Sequence, residues 1–185
     1  NDSTNEKYLA IINKVNTKLI NDYDLNFNYL KSYISNVNHP AILKFIGFDN
    51  QITSIENSPE IITEFAPNGT LKQIFEMEKV GKKPCEWNDT KKIINIYGIA
   101  SAMKYLHSRN IIIRLLTPQF IFEDCYLYPK IGFYHYPKDI LYYMAPELFD
   151  YYGYFYHFKN FNTRFSKMTD VYSFGLIVYL FFSEE

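Results

Sequence analysis

Asp170-Val171-Tyr172-Ser173-Phe174-Gly175-Leu176-Ile177-Val178-Tyr179-Leu180-Phe181-Phe182 is the stretch whose reading decides the fold. It reads as a helix, apolar nearly all round, with Thr169 or Asp170 as its cap, and such a helix belongs inside a protein. Its longest apolar run, Leu176 to Phe182, is far shorter than the roughly 20 residues of a membrane span. Twenty-odd residues upstream stands a second marker, Met144-Ala145-Pro146-Glu147, and between the two lies a densely aromatic stretch, Tyr151 to Phe165.

Working back toward the N-terminus, Ile93, Ile96, Tyr97, Ala100, Met103 and Leu106 recur at helical spacing from Asp89 and predict a long core-facing helix. Two short apolar runs, Phe120 to Phe122 and Pro129 to Phe133, flank the polar pair Glu123-Asp124 and predict a hairpin with those acids as solvated turn residues. Before the turn at Pro67-Asn68-Gly69, strands are predicted at Tyr8 to Asn13, Ile42 to Phe48 and Glu60 to Glu64, with a helix over Asp22 to Asn36. No internal repeat interrupts this order.

Composition agrees with one globular unit. The chain has 185 residues, 48% hydrophobic and 19% aromatic, enough for a sizeable core. Nineteen basic and twenty acidic side chains give a net charge of -1, so no field draws nucleic acid or an anionic membrane. The aromatic stretch interleaves His157, Lys159 and Arg164 and could stack bases, but packing on the final helix explains the same residues. Cys85 and Cys125 are too few for a disulfide framework, and core roles in a reducing, cytoplasmic setting are expected of them.

The order of these elements resembles a protein kinase domain of the tyrosine-kinase-like serine/threonine type. Met144-Ala145-Pro146-Glu147 resembles the motif that closes the activation segment, and Asp170 to Gly175 the start of the large lobe's central helix. Asn38-His39-Pro40 with Ile42 to Phe48 resembles the link into the fourth strand. Ile61 to Phe65 resembles the fifth strand entering the hinge, and Tyr105-Leu106-His107 and Pro129-Lys130-Ile131 also fit. The resemblance implies an α+β, two-lobed fold: a partial small lobe over 1–63, a hinge over 64–69 and a partial large lobe over 70–185. It covers residues 8–185, without the two glycine-rich-loop strands or anything beyond the central helix, and both ends look cut.

Phosphoryl transfer needs a phosphate-covering loop, a lysine held by a glutamate, a catalytic aspartate, and an aspartate and asparagine for magnesium. The first glycine is Gly47, already in the fourth strand, so no glycine-rich loop precedes it. The lysine position falls on Ile12, or on Lys14 after a two-residue slip, and both remain open. No glutamate lies between Glu6 and Glu56, and the helix position that should carry one is Leu30; Asp22 and Asp24 read as helix caps. In Ile113-Arg114-Leu115-Leu116-Thr117-Pro118-Gln119-Phe120 the catalytic aspartate has become Leu115 and the magnesium asparagine Phe120. Where the metal-binding triplet belongs stands Phe133-Tyr134-His135; no carboxylate remains in it, and His135 reads as structural.

Only nine residues separate His135 from Ala145, and none is a serine or threonine, so Arg114 has no activation-loop phosphosite to answer. Tyr136, Tyr142 and Tyr143 are expected to pack. The implied catalytic set is therefore empty, with Leu115, Phe120 and Phe133 as degenerate positions and no metal ligand. The positions that stack the kinase core, Ile34, Phe45, Ile113 and Tyr134, stay apolar. Asp170 either braces the catalytic-loop backbone or caps its own helix.

What survives for a ligand is the hinge, where Glu64 and Ala66 would present backbone groups to adenine behind Thr63. No cofactor is expected beyond weak, magnesium-independent ATP. Leu176, Leu180, Phe181 and Phe182 are expected to be exposed, forgoing roughly 6–12 kcal/mol of burial, which points to other proteins as partners on that helix. Neither nucleic acid nor membrane is expected. The reading implied is a catalytically inactive pseudokinase scaffold; a divergent ATP-binding serine/threonine kinase using Lys14 and a displaced acid, and a non-functional gene fragment, are the alternatives.

Overall fold

The computed structural model describes residues 10–14, 36–49, 60–114, 116–132, 140–148 and 165–183. The predicted helix over Asp22 to Asn36 lies outside them but for its last residue, as do Leu30, Ile34, Leu115 and the triplet Phe133 to His135. Most of the aromatic stretch after Tyr151 lies outside them too.

Three β-branched and aromatic runs form one antiparallel sheet in the order β1-β3-β2: β1 (Ala10–Lys14), β2 (Phe45–Asp49) and β3 (Glu60–Glu64). Ala10 stands opposite Glu64 and Lys14 opposite Glu60. A bulge between Phe45 and Gly47 leaves Ile46 unpaired and 48% exposed. The predicted second strand began at Ile42, but Ile42 instead makes an isolated parallel bridge to Ile131, far along the chain.

The segment after the Pro67-Asn68-Gly69 turn holds a helix that hydrophobic spacing alone did not flag, α1 (Leu71–Lys79). Its signal was present in Thr70-x-x-Gln73, a capping box in which the Thr70 hydroxyl accepts from the Gln73 N–H and the Gln73 side chain accepts from the Thr70 N–H at 2.8 Å. α2 (Asp89–Ser108) opens on Asn88, whose side chain accepts from the Lys91 N–H at 3.0 Å. It ends in a Schellman turn: Asn110, at φ 57, donates to the His107 carbonyl and Ile111 to that of Leu106.

The buried face of α2 is the expected one in its C-terminal half, where Met103 and Leu106 are inside, but not at Ile93 and Tyr97. Asn95, Ile99, Ala102, Met103 and Leu106 point inward, while Ile93 is 55% and Tyr97 77% exposed. The reason is the hairpin β4 (Ile121–Glu123) and β5 (Pro129–Ile131), which lies against α2. A Cβ on Gly98 would sit 2.6 Å from Pro129 Cγ, so only glycine lets the two approach this closely. The helix face is set by that contact rather than by the apolar count.

Two 3-10 turns (Ile140–Tyr143 and Pro146–Leu148) precede the last helix, α3 (Lys167–Phe182). Its cap is Ser166, not Thr169 or Asp170; Ser166 and Thr169 form a second capping box. Ser173, Ile177 and Phe181 recur every four residues on its buried stripe. Phe181 is 1% exposed, stacked on Trp87 at 6.1 Å and edge-on to Phe75 at 5.1 Å. The exposure expected of Phe181 is thus wrong, Leu176 and Leu180 are half-buried, and Phe182 alone of the four is open.

One main core joins Leu71 and Ile74 of α1, the inner face of α2, Ile121 and Ile131 of the hairpin, and Ile177 and Phe181 of α3. A smaller cluster gathers Met144, Ala145, Leu148 and Phe165 around Ile112. Both cysteines are exposed, against the core roles expected of them, because each sits in a turn. Tyr142 is also exposed rather than packed, at 80%, whereas Tyr143 packs on the main core.

Candidate functional site

The loop between α2 and β4 is held from behind by one carboxylate. Asp170 is fully buried in the first turn of α3. Its Oδ2 accepts from the Ile113 N–H at 2.8 Å and its Oδ1 from the Arg114 N–H at 2.8 Å. The His107 Nε2 lies 2.8 Å from Oδ2 and donates to it. Burial raises the Asp170 pKa, and the His107 and backbone donors pull against that rise. Of the two roles left open for Asp170, bracing the loop is the one it has.

That brace fixes an unusual backbone. Arg114 lies at φ 74, a left-handed conformation that costs a non-glycine residue roughly 1–2 kcal/mol. Its guanidinium carbon sits 5.9 Å from the ring centre of Phe165, a cation over an aromatic face. The arginine of the loop therefore meets a buried ring.

The front of the loop is apolar. Leu116 is fully buried and Phe120 is 7% exposed; Ile113 is half-buried against the main core. The Lys72 N–H donates to the Pro118 carbonyl at 3.1 Å and the Gly132 N–H to the Phe120 carbonyl at 2.7 Å, so α1 and the residue after β5 grip this side. Behind Gly132 there is no room for a side chain: a Cβ there would lie 2.7 Å from the Phe122 ring and 3.2 Å from Leu43.

Thr63, Glu64 and Ala66, the residues expected at a hinge, stand together at the end of β3. Thr63 is 1% exposed and its hydroxyl has no hydrogen-bond partner among the described residues; Ala66 is 3% exposed. Glu64 does more than offer its backbone. Its N–H donates to the Lys44 carbonyl at 2.9 Å, and its carboxylate accepts from the Lys44 N–H at 3.0 Å and pairs with Lys130 on β5 at 3.2 Å. Sequence reasoning did not find this tie, since nothing in the spacing of Glu64 and Lys130 brings them together.

Lys14 stands opposite Glu60, at the end of the sheet away from the hinge, and Ile12 opposite Ile62. A two-residue step moves a side chain about 7 Å along a strand, so Lys14 starts one such step farther from Thr63 than Ile12 does.

The Asn38-His39-Pro40 turn is anchored on α2. The Asn38 N–H donates to the Tyr105 hydroxyl at 3.0 Å, and the Ala41 N–H to His39 Nδ1 at 3.1 Å, which leaves Nε2 to donate to Ser101 at 3.2 Å. Burial lowers the His39 pKa below its ordinary 6.5. From this turn the backbone of residues 41–43 runs beside β5, with Leu43 donating to Ile131 and Ile131 to Ala41, both at 2.9 Å.

The protein tyrosine and serine/threonine kinase family is matched over residues 2–132, well over half of the chain. The chain belongs to the protein kinase family. Its described elements are those of a kinase domain from the third strand to the central helix, an α+β arrangement with few strands and three helices. Among its relatives, the probable serine/threonine-protein kinase PBL5 of Arabidopsis thaliana is 32% identical over 49% of this chain and 19% of its own length. The receptor-like kinase LIP1 of the same plant is 27% identical over 78% of this chain and 23% of its own. The inhibitor of nuclear factor kappa-B kinase subunit alpha of Xenopus tropicalis is 25% identical over 77% and 20%. The chain thus spans about a fifth of the length of these curated relatives.

Asp170 and His107 thus hold, from behind, the backbone of the loop that carries Leu116 and Phe120. Among the described residues no helix is long and apolar enough to cross a membrane, and no group of three or more histidine, cysteine or acidic side chains could hold a metal.

Proposed function

We propose that this kinase-fold chain performs no phosphoryl transfer and acts as a pseudokinase, a scaffold that other proteins bind. The observation that carries the reading is the burial of the Phe120 ring, the residue to which the motif order assigns the role of a magnesium-binding amide. The surrounding loop from Ile111 to Phe122 contains no acid at all. A missing general base costs roughly 10²–10⁴ in rate, and lost charge stabilisation about 3–4 kcal/mol more per donor. The degenerate positions Leu115 and Phe133 add to the same deficit.

The division into a partial small lobe (1–63), hinge (64–69) and partial large lobe (70–185) belongs to this proposal. So does a residual hinge contact at Thr63, Glu64 and Ala66, where adenine would bind weakly and without magnesium. The partner surface is the outer stripe of α3, where Met168, Val171, Tyr172, Tyr179 and Phe182 are each 41–73% exposed. Two free, exposed thiols fit a reducing compartment such as the cytoplasm.

The deciding experiment is thermal unfolding of the 185-residue chain with ATP, with and without magnesium. The expected result is the same melting temperature in both. A magnesium-dependent rise of about 2 °C or more would mean that metal and nucleotide bind the folded state together, and the inactive reading would fall.

A further inference from the structure

Glu123 was expected in a solvated turn. It is instead the last residue of β4, with none of its surface exposed. Neither carboxylate oxygen has a hydrogen-bond partner among the described residues, and neither has Oδ1 of Asn95, the equally buried amide next to it. Three oxygens have thus left water together with no hydrogen to share, an arrangement costly for each of them. The Asn95 nitrogen is already committed: it donates to the Lys91 carbonyl at 3.1 Å and the Leu127 carbonyl at 3.0 Å. Turning the amide over would aim its oxygen at two carbonyls, so its orientation is fixed.

A single proton removes the buried charge and turns one of the two Glu123 oxygens from an acceptor into a donor. We propose that Glu123 is held in this fold as a neutral carboxylic acid, and that loss of its proton loosens the junction between the hinge loop and the β4–β5 hairpin. The junction passes through Glu123 itself. Its N–H donates to the Gly69 carbonyl at 2.9 Å, its carbonyl accepts from the Asn68 N–H at 3.2 Å, and the Asn68 amide donates to the Asp124 carbonyl at 2.6 Å.

Among the described residues no cation bonds the Glu123 carboxyl group. Burial is the main influence and pushes the Glu123 carboxyl up to about 8; the Asn95 side chain lowers it, Asp124 raises it and Lys91 on α2 lowers it. Lys91 itself bonds the Tyr126 carbonyl at 2.6 Å and lies over the Tyr128 ring. On α1, packed against β4, Lys72 pairs with Glu76, and Glu78 with Lys83 and Lys92. On β5, Lys130 pairs with Glu64.

The sign follows from linkage. The folded state holds this proton above the ordinary glutamate value of 4.5, so the contribution is full below about pH 4.5 and is lost as pH rises through about 8. Melting of the whole chain from pH 5 to 9, wild type beside Glu123→Gln, isolates it. The two proteins should melt within a few degrees of each other at pH 5, and by pH 9 the wild type should fall at least about 5 °C below the variant. A gap that stays constant with pH overturns the proposal. If Glu123→Gln does not fold, infrared spectra of the wild type decide: a carboxylic-acid carbonyl band should persist at pH 7, where exposed carboxyls are ionised, and vanish on titration past pH 8. Its absence at pH 7 overturns the proposal equally.

Discussion

The two sides of the loop between α2 and β4 differ in kind. Behind it, Asp170, His107 and two backbone N–H groups form a closed set of short polar contacts. In front of it, Leu116 and Phe120 are packed away from water with nothing to offer a ligand. The polar side positions backbone and the apolar side occupies space. Two of the three bonds of the polar side run to main-chain N–H groups, which every residue but proline supplies.

The comparison breaks first at Asp170. Asp170→Ala leaves two buried N–H groups and His107 without their acceptor and should cost about 3–6 kcal/mol, read as a drop in denaturation midpoint with loss of the loop's protection from hydrogen exchange. Phe120→Asn probes the opposite side: the smaller, polar side chain in an apolar site should cost about 2–4 kcal/mol and yield no ATP-dependent phosphoryl transfer in a radiolabel assay. Asn110→Gly touches only the loop's entry, where φ is 57. Glycine relieves the left-handed backbone but loses the Asn110–Lys167 hydrogen bond of 3.1 Å, and the net change in unfolding free energy should stay within about 0.5 kcal/mol.

Much of this was legible in the residues. β3, the span of α2 and the hairpin all follow from local patterns and motif order. What was not legible depends on partners distant in sequence. The first half of the inner face of α2 was misread at Ile93 and Tyr97, where Gly98 admits Pro129, a contact no helical wheel contains. Glu123 looked like a turn acid because the bonds that bury it run to Asn68 and Gly69. Phe181 looked stranded because its cover, Trp87 and Phe75, lies about a hundred residues earlier. α1 was the exception, missed although its Thr70–Gln73 box is wholly local.

The brace also imposes an order of events on a nascent chain. Asp170 lies 56 residues after Arg114, which translation takes roughly 3–11 s to cover at about 5–20 residues per second. Throughout that interval the α2 and hairpin segments exist while the strained Arg114 backbone has no acceptor to hold it. The loop at the centre of the kinase shape is therefore finished late, on the arrival of a carboxylate from the far end of the chain.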